Sequence, residues 1–399
     1  MTSPITIQRA RLWDVALPLS VPFAISGGVM HVRRSLIVEL STSDGATGFG
    51  ESAPFELPFY SSETVESARW LLTRVLLPRL VGVSLNNPMD ADSILRMGVR
   101  GNPFARAGAE TAVWDLFCHR QGKSLTDLIS EALHPTGLDD ADLRPRSHVR
   151  CGVALGIPDD GAPGTLARWT REALEHGYGR VKIKVRPGWD VEPIRAVRDV
   201  LGASGRSILL WADANASYDL ERDHQALRAI DAEELLFLEQ PLQHDDLVDH
   251  AVLSKRMRTP VCLDESLRDA RWARHAISLG ASRIWNIKVQ RLGGLAEALR
   301  VYAIAAAHDV ELWGGTMPET GIGARTILAL GALPRFVYPS DVEPSDRWYA
   351  PGTDPLPLIM AGDGTMPVPI EKGMATLGVD ASVRERGTLV WSSDEIWSG

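Results

Sequence analysis

Five titratable residues close short apolar runs between residues 181 and 288 of this 399-residue chain. Lys184 ends VKIK, Asp213 ends ILLWAD, Glu239 ends LLFLE, Asp264 ends VCLD and Lys288 ends IWNIK, at steps of 29, 26, 25 and 24 residues. An isolated charge at a strand end is ordinarily a solvated rim residue. A base, three acids and a second base at a regular step are not explained by packing. In a parallel barrel the C-terminal strand ends form the face on which active sites are built. Three carboxylates brought together there repel one another unless a cation lies among them. Hard oxygen ligands suit Mg²⁺ or Mn²⁺. Such a cation holds a substrate carboxylate and stabilises the charge that develops on its oxygens when the neighbouring carbon loses a proton. The two lysines would flank that carbon as base and acid. Lys182 shares a side of its strand with Lys184, because side chains alternate along a strand. Its ammonium is expected to disfavour protonation of Lys184 and so free that amine to act as a base.

Positioning these residues requires a closed parallel sheet. From about residue 150, apolar runs at 151–156, 181–185, 208–212, 235–238, 261–263, 284–287 and 310–313 alternate with amphipathic stretches such as 191–201, 247–258, 270–279 and 295–308. Repeated β and α units with strands apolar on both faces indicate a parallel α/β fold. With a last strand at 336–341 the count favours an eight-membered ring. If 151–156 is strand one, Lys184 ends strand two and Lys288 strand six, half a turn apart. The carboxylates end strands three, four and five on the arc between. A doubly wound sheet is the rival, but its glycine-rich phosphate turn is missing. Gly321-Ile322-Gly323 comes late and has Thr326 at the third glycine position.

The first ~125 residues read differently, with strands at 35–41 and 46–51, then helices at 62–80, 87–97 and 104–119, an α+β pattern. Residues 138–146 resemble a linker, and the tail at 356–379 is expected to return to the N-terminal domain. We expect a capping domain over 1–140, a barrel over 141–345 and a returning segment over 346–399.

A net charge of -9 with interspersed signs shows no basic patch, so no nucleic-acid partner is expected. No apolar run reaches the ~20 residues of a membrane span, and residues 1–11 lack a signal core. Three scattered cysteines, Cys118, Cys151 and Cys262, suggest free thiols rather than a disulfide framework or zinc site. Together these point to a cytoplasmic protein. His244, Asp245, Asp246, Asp249 and His250 imitate a metal site, but their spacing fits an acidic helix N-terminus better.

The motifs KIK, WADAN, LEQPL, CLDES and NIK, in that order, resemble the muconate lactonizing enzyme subgroup of the enolase superfamily. That superfamily's Lys or His base with one or two Mg²⁺ ions is a worked example of tuned acid–base chemistry. RVKIKVRPGWDVEPIRAVR, LEQPLQHDDLVDHA, RMRTPVCLDES and ETGIGAR look like the N-succinylamino acid racemase / o-succinylbenzoate synthase family, from about residue 5 to 380. The resemblance implies an α/β fold, a (β/α)7β TIM-like barrel under an α+β cap formed by the N-terminal part and the C-terminal tail. It implies Mg²⁺ (or Mn²⁺) on Asp213, Glu239 and Asp264, catalytic Lys184 and Lys288, and support from Lys182, Asn215 and Arg291. Loops at 23–29 and 55–60, with Phe23 and Tyr60, together with Ala154, Gly315, Thr316 and Glu319, would shape the substrate pocket. A small-molecule carboxylate would be the substrate, and a homo-oligomer is expected. The family pattern is broken at Ala154, Thr316, Pro318, Pro103, Phe104, Val342 and Glu343, none of them a ligand or catalytic lysine. Members racemise N-acyl amino acids, dehydrate a cyclohexadiene carboxylate to o-succinylbenzoate, or do both. The competing readings are another racemase, dehydratase or cycloisomerase of the subgroup, a Schiff-base aldolase, and a metal-binding barrel without activity.

Overall fold

Seven parallel strands form one sheet in sequence order: Val153–Leu155, Arg180–Lys184, Leu209–Asp213, Leu238–Glu239, Val261–Leu263, Ile284–Ile287 and Glu311–Gly314. The computed structural model describes residues 4–25 and 28–394; the side chains of residues 21, 23–25 and 28–29 lie outside that description. Residues 336–341 close the ring through parallel bridges Leu312–Phe336 and Cys151–Ser340. The Gly152 amide donates to Ser340 O at 2.9 Å and the Asp341 amide to Gly314 O at 2.7 Å.

Alternation along these strands sorts their apolar side chains into two cores. Outward residues Val181, Ile183, Leu210, Leu238, Leu263, Trp285 and Leu312 join the main hydrophobic core beneath the surrounding helices. Inward residues Trp211, Phe237, Cys262, Ile284 and Trp313 form a separate cluster that fills the barrel floor. The rings of Trp211 and Phe237 lie 4.4 Å apart and those of Trp211 and Trp313 5.1 Å. One step of two residues further along the same strands come Asp213, Glu239, Asp264 and Asn286, so the site stands on a buried, largely aromatic layer.

The cap is a four-stranded antiparallel sheet in the order Gly387–Ser392, Arg9–Ile25, Gly28–Ser41, Thr47–Ser52. Helix Pro103–Gln121 packs across its last strand. The approach is close enough to require Gly50, where a Cβ would press on the backbone of Gly108 and Ala112. Glu63 accepts the Phe104 and Ala105 amides at 2.9 and 2.8 Å, and Pro103 takes the helix's first turn, where its missing N–H costs nothing. Glu110 on this helix accepts the Leu295 and Ala296 amides at 2.8 Å each, fastening the cap to barrel helix Leu295–Ala307.

One local expectation changes. The segment at 138–146 is not a free linker: it carries helix Asp140–Leu143, Leu143 is buried, and Asp142 pairs with Arg335 at 2.9 Å. In the tail, strand Thr365–Pro367 pairs with His148–Arg150 beside the barrel. The return to the cap is made within the expected segment, where Leu356 and Met374 join Trp13, Val15, Ile37 and Phe49 and the Met374 amide donates to Asp115 Oδ1 at 2.8 Å, and it is completed by helix Val379–Arg386 and strand Gly387–Ser392. No helix among the described residues is long and apolar enough to cross a membrane.

Candidate active site

The barrel strands and the loops after them hold the charged side chains, and loops of the cap cover them. One cleft is lined on its polar side by Lys182, Lys184, Lys288, Asn215, Asp341 and Glu343, with Ala154 and Thr316 beside them. Its apolar wall is Phe55, Tyr60, Met317, Pro318 and Trp348. Lys184 and Lys288 belong to strand positions two and six of the eight-membered ring, hence to opposite sides of this cleft. Both are 7% exposed, so what faces each amine decides its state.

Each carboxylate is paired with an amine. Lys184 Nζ donates to Asp213 Oδ2 at 2.5 Å and to Asn215 Oδ1 at 2.8 Å. The Asn215 amide nitrogen in turn donates to Glu265 Oε1 at 2.9 Å. Lys288 Nζ donates to Asp264 Oδ2 at 2.8 Å and to the Tyr60 hydroxyl at 3.1 Å, and it lies 4.7 Å from the Tyr60 ring centre. Arg291 Nε reaches Asp264 Oδ1 at 3.1 Å. Burial alone would raise the Asp264 pKa, but Lys288 and Arg291 hold it well below the usual carboxylate range. Among the described residues, no three acidic, histidine or cysteine groups are drawn into a metal cage. Asp213, Glu239 and Asp264 share the arc but turn to amines, because a buried carboxylate without a counter-charge is costly.

Lys182 lies two residues before Lys184 on the same strand, and so deeper in the barrel. Its amine contacts Asp341 Oδ2 at 2.5 Å and lies 3.4 Å from both Asp213 Oδ2 and Glu239 Oε2. It also stands over the Trp313 ring at 4.8 Å. Burial disfavours its charge, yet Asp341, Glu239 and Asp213 together raise its pKa. Lys182 is therefore a counter-ion to three carboxylates rather than a lone charge pressing on Lys184. Asp341, at the end of the eighth strand position, was missed as a site residue. Against the effect of burial, Arg180 and Lys182 bring it down to about 2. It too is a titratable residue at the end of a barrel segment, 336–341, so the signal was present.

Glu239 is the acid least satisfied here. Its Oε1 accepts Asn286 Nδ2 at 2.9 Å, while Oε2 is buried with no hydrogen-bond partner. Burial, then the charge of Asp213, raises its pKa. A buried oxygen of this kind, between two aspartates on neighbouring strand ends, fits a divalent cation held by oxygen ligands.

Of the pocket candidates, Tyr60, Ala154 and Thr316 line the cleft. Phe23 falls outside the described side chains. Gly315 is required by close approach, since a Cβ there would meet the Asn286 amide and lie 2.8 Å from Lys288 Cε. Glu319 does not line the cleft: its Oε2 accepts the Met317 amide at 2.7 Å and so shapes the loop. Ala154 donates its amide to Glu343 Oε1 at 2.9 Å, and Thr316 Oγ1 donates to Asp341 O at 2.8 Å. Phe104 packs with Met30, Phe55 and Met317 and meets Tyr60 edge-on at 6.5 Å, so this departure supports the cleft roof. Asp246 caps helix Leu247–Arg256 through the Asp249 amide at 2.9 Å. Gly321 and Gly323 amides are taken by Asp354 and Glu51.

Burial, then the charge of Glu51, pushes the Glu319 carboxyl up to about 7, above the ~4.3 of an unfolded glutamate. A raised folded value means that this group's stabilising contribution is complete below the unfolded pKa and is lost as pH rises through about 7. Glu319→Gln mimics the protonated acid. It is expected to be more stable than wild type at pH 8 by up to ~3 kcal/mol, with the gap closing by pH 4.5. Urea unfolding at both pH values measures it, and an unchanged gap between them would contradict it.

Residues 165–380 match the family model described as enolase C-terminal domain-like. Residues 7–130 match the mandelate racemase / muconate lactonizing enzyme N-terminal domain. An N-succinylamino acid racemase of Thermus thermophilus is 41% identical over 363 residues, covering 91% of this chain and 92% of its own. An o-succinylbenzoate synthase of Bacillus subtilis is 39% identical over 347 residues, 86% of this chain and 87% of its own. A solved enolase-superfamily member from Listeria innocua superposes with a TM-score of 0.84 at 31% identity, covering 98% of each chain. With both halves of the fold matched, the chain belongs to the enolase superfamily, among the relatives of N-succinylamino acid racemases and o-succinylbenzoate synthases.

Proposed function

We propose that this enzyme removes the proton from the carbon next to a carboxylate, with Lys184 and Lys288 as opposed bases. Asp213, Glu239 and Asp264 would hold Mg²⁺ (or Mn²⁺). The reaction is racemisation of N-succinyl or other N-acyl amino acids, dehydration of a cyclohexadiene carboxylate to o-succinylbenzoate, or both. One observation carries this reading: two buried amines from opposite strand positions enter a single cleft beside an acid with an unsatisfied buried oxygen. The relatives' names support the substrate class.

When bound, the cation supplies charge that stabilises a substrate carboxylate as it takes on further negative charge. The chain does the rest. One lysine takes the α-proton and, in a racemisation, the other returns one to the opposite face. Asn215 and Tyr60 hold the two amines in place. Lys182, kept protonated by Asp341, answers the charge of Asp213 and Glu239 from below. The apolar wall of Phe55, Met317 and Trp348 excludes water from the carbanionic carbon. A panel of N-acyl amino acids and the o-succinylbenzoate precursor, assayed with Mg²⁺, tests the proposal. Turnover of at least one is expected, and no turnover of any would overturn it.

A further inference from the structure

Behind Glu239 and Asp264 lies a closed hydrogen-bonded set that the proposed chemistry does not use. Gln240 follows the fourth strand in the left-handed backbone region, at φ +38°, and is fully buried. Its backbone amide donates to Cys262 O at 2.8 Å, continuing the ladder to strand five. The next amide along that strand, Asp264 N, donates instead to the Gln240 side chain. Gln240 Oε1 accepts both Asp264 N and Ser266 N at 3.0 Å. Gln240 Nε2 donates to Ser266 Oγ at 2.7 Å and Leu242 O at 3.0 Å. These partners settle the amide's orientation, because a flipped amide would set its NH₂ against two N–H donors.

His250 completes the set from helix Leu247–Arg256. Its Nδ1 lies 2.5 Å from Asp246 O, which only accepts, so Nδ1 carries the proton. Its Nε2 then accepts the Leu242 amide at 3.3 Å and lies 3.4 Å from Gln240 Nε2. That is the neutral tautomer, and burial pushes the imidazole's pKa down in agreement. Every polar group in the set has a partner, so the arrangement is well determined.

We propose that Gln240, locked by Ser266 and by Leu242, whose amide His250 holds, is the positioning residue for Asp264. Through Asp264 it also sets the Lys288 amine and the Arg291 guanidinium, both of which that carboxylate holds. The inference rests on the reading of Asp264 as a metal ligand. It is asymmetric: Lys184 is held by Asp213 and Asn215, which Gln240 does not hold through its side chain. Disturbing Gln240 therefore weakens cation binding and impairs the Lys288 side of the reaction more than the Lys184 side.

The test is Gln240→Met, which keeps the length and removes the amide. Two readouts are needed beyond folding. Calorimetric titration of metal-free enzyme with Mg²⁺ alone should show affinity weakened ~10-fold, the usual scale for residues that orient a metal ligand. Deuterium exchange at the α-carbon of each enantiomer of an N-succinyl amino acid should fall more for the enantiomer that Lys288 serves. Ser266→Ala removes one anchor of the amide and leaves both Oε1 bonds, so a smaller loss in the same direction is expected. Gln240→Met with wild-type Mg²⁺ affinity and an unchanged exchange ratio overturns the proposal, even if the protein is less stable. Should that variant fail to fold, Ser266→Ala with wild-type affinity overturns it. Asp264→Asn separates the two claims: if it binds Mg²⁺ as wild type does, the ligand assignment has failed rather than the positioning role.

Discussion

Lys184→Ala is expected to stop inversion of an N-succinyl amino acid while still exchanging the α-proton of one enantiomer in D₂O; Lys288→Ala should do the same for the other. Inversion should fall by about 10⁴, the upper range for loss of a positioned acid or base. The reason is placement. The two amines belong to strand positions four apart in an eight-membered ring and enter the same cleft, so each meets one face of the α-carbon. Removing one leaves the other amine and its partners in place: Asp264 and Tyr60 still hold Lys288, and Asp213 and Asn215 still hold Lys184. NMR of the α-proton with each pure enantiomer gives exchange, and chiral chromatography gives inversion. A single-base dehydratase would behave otherwise, with one lysine indispensable and the other contributing mainly charge. Either variant interconverting both enantiomers at the wild-type rate would rule out two-base chemistry.

Chelation is expected to abolish turnover and Mg²⁺ or Mn²⁺ to restore it, with Glu239→Gln lowering activity by about 10³ in saturating metal. Glu239 is singled out because the ion pairs favour Asp213 and Asp264. Asp213 and Asp264 each lie within hydrogen-bond distance of a lysine, whereas Glu239 Oε2 has Lys182 only at 3.4 Å. Glutamine keeps the Asn286 contact and most of the volume while removing charge from that oxygen. Calorimetric titration of metal-free protein should show weaker Mg²⁺ binding in this variant, and Asp213→Asn and Asp264→Asn should follow the same direction. Full activity in metal-free enzyme would refute the ligand set.

The parts of this site legible in the sequence were those whose position follows from strand periodicity. VKIK, ILLWAD, LLFLE, VCLD and IWNIK each alternate outward apolar and inward residues. A titratable residue at the end of such a run must therefore reach the mouth of a barrel. Asp341 obeyed the same rule at the end of 336–341 and was passed over, because Pro339 and Ser340 break the apolar run before it. The partner of Lys182 depends on that eighth position and so was hidden with it. Met317 comes from a loop and Trp348 from the one-turn helix Ser345–Trp348, both placed by contacts distant in sequence, and no periodicity announces them. In the cap, Arg9–Ile25 is a 17-residue strand that contains Pro18 and Pro22, residues that argue against a strand interior. The structure accommodates them with a register shift between Pro18 and Phe23. The roles of Gln240 and His250 were equally illegible: LEQPL marks a turn after a strand, and only the folded chain shows the amide bridging to Asp264.

The most direct measurement is wild-type enzyme with Mg²⁺ in D₂O, acting on a single enantiomer of an N-succinyl amino acid that the substrate panel has shown to turn over. The account requires every inverted molecule to carry deuterium from solvent at the α-carbon, because the lysine that returns the proton is not the one that removed it. Inversion with the original protium retained, or turnover without any α-exchange, would contradict proton abstraction by two opposed bases.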